Sequence, residues 1–181
     1  MPRRQQPQLT VTFHKAGGHS PSAWWEAVRP TRGKVVGGYM PIGRGRIPHD
    51  LGHMATEAHF GVDHGFWGLL ARGATFRHGT RQRRTKPGRQ LILDNRGALE
   101  AAEALGNEHH VAWIAGQPTP VAPAFERLAA RWQAIPDGGT MTVHWPTLEI
   151  VQEDRCDERS RPTEAPAGRR IHGERSDATC A

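Results

Sequence analysis

Leu9-Thr10-Val11-Thr12-Phe13-His14 places apolar side chains on one side of an extended chain and polar ones on the other. A period of two over six residues reads as a half-buried β-strand. Two more strands are expected close behind it. Ala23 to Arg29 carries Trp24 and Trp25, and Val35 to Met40 follows the turn residues Pro30-Thr31-Arg32-Gly33. Much later, Asp137-Gly138-Gly139 turns the chain into a last strand, where Met141, Val143 and Trp145 alternate before Pro146.

Between these strands the periodicity becomes helical. Pro48 opens a helix at its first position, where its missing N–H costs nothing, and Gly61 stops it after Phe60. Leu51, Met54, Ala55 and Ala58 give that helix a core face. A short helix follows from Gly65, with Phe66, Leu69 and Leu70 at helical spacing. Asp94 or Asn95 caps a third from Ala98 to about Leu105, which resumes after Gly106 and runs to Ile114. Pro123 opens a fourth, with Phe125, Leu128, Ala129 and Trp132 on one side. The expected architecture is an α+β domain over residues 7–151, a small antiparallel sheet packed on four or five helices.

Composition bounds the rest. The chain has 181 residues, 36% of them hydrophobic, and a mean hydropathy of −0.64. It has no run of 18 apolar residues and hence no expected membrane span. The N-terminal stretch lacks the apolar core of a secretory signal, so a cytoplasmic location is expected. Cysteine occurs only at Cys156 and Cys180, which excludes a disulfide framework in the body of the chain. From about Gln152 the apolar signal vanishes and 13 of 30 residues are charged, the composition of a disordered tail over 152–181.

The segment richest in chemistry is Pro48-His49-Asp50-Leu51-Gly52-His53-Met54-Ala55-Thr56-Glu57. Histidines four apart on a helix point the same way and can share one metal ion. Eleven histidines in 181 residues give roughly 0.6 chance pairs at that spacing, so the pair alone is weak. Requiring an acidic residue directly after the first histidine lowers this to about 0.06. The expectation is therefore a site for zinc or another divalent metal, with His49 and His53 as ligands and Asp50 as general base toward a metal-bound water. Glu57, easily paired with His53 across one turn, ranks first, as third ligand or as a carboxylate supporting a ligand, ahead of His64 and His59. The alternative is a polar helix face on which His49, Asp50, His53 and Glu57 hydrogen-bond to one another or to the sheet.

The His-Asp-x-x-His segment is similar to the active-site helix of zincin metalloproteases, and the resemblance implies a metal-dependent hydrolase. Pro48-His49-Asp50-Leu51-x-His53-x-x-x-Glu57, followed by Gly65-Phe66-Trp67-Gly68, resembles a group of small uncharacterised bacterial proteins and implies no activity. The His49-Asp50 doublet also resembles that of HD-domain phosphohydrolases. Those place it in an all-helical domain, which the strands at the N-terminus oppose.

Charge supplies a reading of a different class. Residues 1–151 carry 18 basic and 11 acidic groups, and 21 of the 24 basic residues of the whole chain are arginine. Arg72 to Arg89 holds seven Lys or Arg and no acid, with Gly and Pro interspersed, and reads as a mobile loop. Arg81, Arg83, Arg84 and Lys86 are its candidate contacts to nucleic acid or another anionic partner. Phe76 is its one aromatic, so no platform for stacking bases is expected. Neither a Walker-type phosphate loop, nor Gly-x-Ser-x-Gly, nor Cys-x-x-Cys occurs.

Overall fold

The computed structural model describes residues 8–17, 22–30, 33–40, 46–76 and 85–151. Its five strands are β1 (Leu9–His14), β2 (Trp24–Arg29), β3 (Gly33–Tyr39), β4 (Thr140–Trp145) and β5 (Glu149–Val151). They form one antiparallel sheet in the order β3-β2-β1-β4-β5. Five helices lie between β3 and β4: α1 (His49–Phe60), α2 (Phe66–Arg72), α3 (Lys86–Asp94), α4 (Arg96–Ile114) and α5 (Ala122–Ala134). The fold is α+β, as the alternating and helical patterns imply. None of these helices is long and apolar enough to cross a membrane. The charged segment 152–181 lies outside the described residues.

The alternation in β1 does what its period requires. Leu9, Val11 and Phe13 are buried, paired across the ladder with Trp145, Val143 and Met141 of β4. On the other face Thr10 bonds His144 Nδ1 at 3.1 Å, Thr12 bonds Thr142 at 3.0 Å, and His14 stacks on Trp24. The inner face meets α1 and α2 through aromatic rings. Trp67 lies 6.0 Å from Phe13 and 4.9 Å from Trp25, centroid to centroid.

Helix α1 is enclosed on more than one side, every residue from Leu51 to Glu57 being buried. Leu51, Met54 and Ala55 join the core cluster behind the sheet. The remaining residues face elsewhere and include three polar side chains, each of which needs a partner once removed from water. Thr56 finds one locally, donating to Gly52 O at 3.1 Å. His53 and Glu57 find theirs on other helices, as described below.

Three expectations about the helices are corrected. The helix expected to break at Gly106 runs unbroken through 19 residues. Gly106 is there because a Cβ would come within 2.5 Å of His53 Cε1 on α1. The segment expected to be loop as far as Arg89 is already helical from Lys86. Thr85 caps α3 by accepting from Gly88 N at 3.1 Å, Pro87 sits in its first turn, and Gly88 packs on Thr75. Asn95 precedes α4 but does not cap it, since its side chain donates to Leu91 O instead.

Candidate metal centre

His49 and His53 stand one turn apart on α1 with ring centroids 4.2 Å apart, as their spacing requires. The third group comes from α4. One ligand atom each from His49, His53 and Glu103 lies within 4.8 Å of the other two. Ligand atoms 2.0–2.1 Å from a tetrahedral zinc are themselves roughly 3.3–3.5 Å apart, so a modest contraction would close this set on an ion. The three groups are therefore close enough to hold one metal ion. His53 is buried, whereas 37% of the His49 side chain and 54% of Glu103 remain exposed, so solvent reaches the set from one side.

The hydrogen bonds around these groups give each a distinct state. His49 donates through Nδ1 to Asp50 Oδ1 at 3.3 Å and through Nε2 to Asn107 Oδ1 at 3.2 Å. An oxygen at each nitrogen favours the protonated ring, which must release its Nε2 proton before that nitrogen can take an ion. The Asp50 bond raises its pKa, outweighing partial burial, and Asn107 adds to the rise. His53 lies on the other side of that balance. Burial lowers its pKa and the charge of His49 lowers it further, which keeps the neutral, ligating form. His53 Nδ1 is 3.5 Å from Glu103 Oε2, and its Nε2 is buried without a hydrogen-bond partner.

Behind the set, His110 repeats the pattern. Its ring lies 6.2 Å from that of His49 and is stacked beside Trp113. Burial first, then His49 and His53, push its pKa down to about 4, and its Nε2 also has no partner. The two helices exchange these rings reciprocally. His53 of α1 lies on Gly106 of α4, and His110 of α4 lies on Gly52 of α1.

Asp50 and Glu57 are drawn to other tasks. Asp50 Oδ2 accepts from Trp25 Nε1 at 2.8 Å, while Oδ1 accepts from His49. Its carboxylate holds a buried indole N–H and orients His49 from the Nδ1 side, the arrangement in which a carboxylate fixes a ligating imidazole. It does not face Nε2, where a general base would be needed. Glu57 is buried and accepts from Trp67 N at 3.0 Å and Gly68 N at 3.3 Å, closing the N-terminus of α2. Gly65 leaves room for it, since a Cβ there would meet Glu57 Oε1 at 2.6 Å. Glu57 therefore serves α2, and Glu103 takes the place beside the histidines for which Glu57 was the first candidate.

His64 pairs with Asp63, and His59 is exposed with its ring edge-on to Phe60, so neither joins the set. Arg81, Arg83 and Arg84 lie outside the described residues, and Lys86 is exposed at the start of α3. Glu103, Asn107 and His110 are not picked out by the sequence patterns above. They recur at i, i+4 and i+7 on α4, a polar stripe on one helix face that is the signal for them.

The chain has no significant match among family models, curated proteins or solved structures. Its chemistry has to be read from its own side chains. The Pro48–Glu57 and Gly65–Gly68 segments then have a physical account. They form one unit in which Glu57 ties α1 to α2, and Trp67 Nε1 donates to Asp50 O at 3.1 Å.

Proposed function

We propose that this protein binds one divalent metal ion, zinc foremost, through His49, His53 and Glu103, and that the centre serves metal-assisted hydrolysis. One observation carries the reading: ligand atoms from two helices stand within 4.8 Å of one another, with a carboxylate orienting the first histidine. Two imidazoles and one carboxylate form a donor set suited to zinc, and three protein ligands leave a position for water. Held by His49, His53 and Glu103, a divalent ion would supply Lewis acidity and acidify water at the centre, a chemistry that does not require Asp50 as base. Solvent access past Glu103 provides a route for water and substrate.

Protein purified without a polyhistidine tag should carry close to one equivalent of metal, or take up one zinc on titration. His53→Ala and Glu103→Ala should each lower zinc affinity by at least tenfold with the fold intact by circular dichroism. A 181-residue chain that binds no zinc, or variants that bind as tightly as the parent, would refute the metal reading. Bound zinc with no chelator-sensitive turnover of ester and phosphodiester reporters would refute hydrolysis alone.

A second reading rests on charge. Residues 72–89 hold seven basic side chains and no acid, and Lys86 and Arg89 stand exposed in the first turn of α3. Contact with the phosphates of nucleic acid should weaken steeply between 50 and 200 mM salt, about in proportion to the charges engaged. Neutralising Arg81, Arg83 and Arg84 to Gln should flatten that slope. A slope that stays unchanged would exclude the segment as the contact.

A further inference from the structure

Asn107 stands where the metal reading leaves a gap. It is one turn beyond Glu103 on α4, and its carboxamide bonds His49 and Glu103 and also reaches His53. Nδ2 donates to Glu103 Oε1 at 3.2 Å, and Oδ1 accepts from His49 Nε2 at 3.2 Å. This assignment of the amide is the one that satisfies both neighbours, since the reverse would oppose two acceptors at Glu103. Because Asp50 occupies Nδ1 of His49, Nε2 is the nitrogen left for an ion.

An ion about 2.0–2.1 Å from Nε2 would sit on the path that the Asn107 hydrogen bond now follows. Oδ1 would have to withdraw by only roughly 1 Å to stand at a ligand distance itself. Asn107 is exposed and at the edge of the set, so its side chain has space to do so.

We infer that Asn107 is the fourth protein ligand: on loading, the Nε2 proton of His49 leaves to solvent, the ion takes that nitrogen, and Oδ1 passes from the lost hydrogen bond to the ion. This rests on the metal reading above. It completes the set as two nitrogens and two oxygens, suited to a borderline divalent ion rather than to a thiophilic one. A neutral amide is the weakest of the four donors, so it is the ligand that incoming water or a substrate oxygen displaces. The position that three ligands leave for water is thus held at rest by a ligand that water or substrate can exchange, and Asn107 governs access to it.

Cobalt(II) titration of the tag-free full chain tests this, with affinity and visible d–d absorption read together for the parent, Asn107→Ala and Asn107→Asp. Asn107→Ala should bind about tenfold more weakly with a shifted spectrum, as water replaces the amide oxygen. Asn107→Asp should bind more tightly, as the same oxygen gains charge. If Asn107→Ala binds cobalt as tightly as the parent or more so, with an unchanged spectrum, the carboxamide only competes with the ion and the inference falls. It falls also if the parent binds no cobalt while Asn107→Ala does, and the three-ligand centre then stands without it. If none of the three proteins binds, the metal reading itself has failed and takes this inference with it. Circular dichroism of both variants shows that each difference arises in a folded chain.

Discussion

Gly106→Ala is expected to destabilise the domain by about 1–3 kcal/mol and to remove metal binding in the same step. Alanine is ordinarily the better helix former, by up to about 1 kcal/mol. At Gly106 the added methyl would come within 2.5 Å of His53 Cε1, and the His53 ring is buried between the two helices. The ring must turn or the helices must part, and either displaces a proposed ligand. Gly97 provides the internal comparison. It lies in the first turn of the same helix, and a Cβ there meets nothing within 4 Å. Gly97→Ala should therefore leave zinc binding alone and raise stability by a few tenths to about 1 kcal/mol. Thermal denaturation and zinc titration of the two variants check both signs. Equal stability and equal zinc affinity would show that the α1–α4 contact is looser than described.

Glu57→Ala should have the largest effect on stability, about 3–5 kcal/mol, because it strands the buried N–H groups of Trp67 and Gly68 at about 1–3 kcal/mol each and leaves a cavity. Glu57→Gln retains an acceptor oxygen and should cost much less. The two also differ in their response to pH. Burial pushes the Glu57 pKa up to about 8 from 4.5, against the opposing pull of the Gly68, Trp67 and Phe66 amides. The folded protein then keeps a proton that the unfolded chain has released between those values. The stabilisation associated with that proton is complete below about pH 4.5 and lost as pH rises through about 8. Gln cannot titrate, so the melting temperature of Glu57→Gln should gain on the parent as pH rises from 5 to 9. Parallel pH profiles for the two proteins would contradict a neutral carboxyl in the fold.

Much of this architecture is legible in local pattern. The β1 alternation, the Pro48 start and the Gly61 stop each depend on neighbours within a few residues, and each has its structural counterpart. What could not be read depends on partners distant in sequence. Glu57 suits a ligand by helical spacing, yet its carboxylate is captured by amides ten and eleven residues ahead. Glu103 is one exposed acid among several on α4 until α1 is laid against it. Gly106 breaks a helix in isolation and fits one when a histidine ring occupies the space of its missing side chain. Lys86 to Arg89 looks mobile from its glycine, proline and charge, whereas Thr85 and Thr75 fix the turn that starts α3.

The pairing of β1 with β4 bears on the life of the chain before it is complete. Thr10 and His144 touch across 134 positions, and the five described helices are synthesised between them. During translation β1, β2 and β3 can assemble early, but β1 then presents an open edge and an uncovered row of Leu9, Val11 and Phe13. Unpaired edges of this kind recruit other strands, and closing so long a loop is slow. Until residue 145 has left the ribosome, the nascent chain holds three of the five described strands and is most in need of a chaperone.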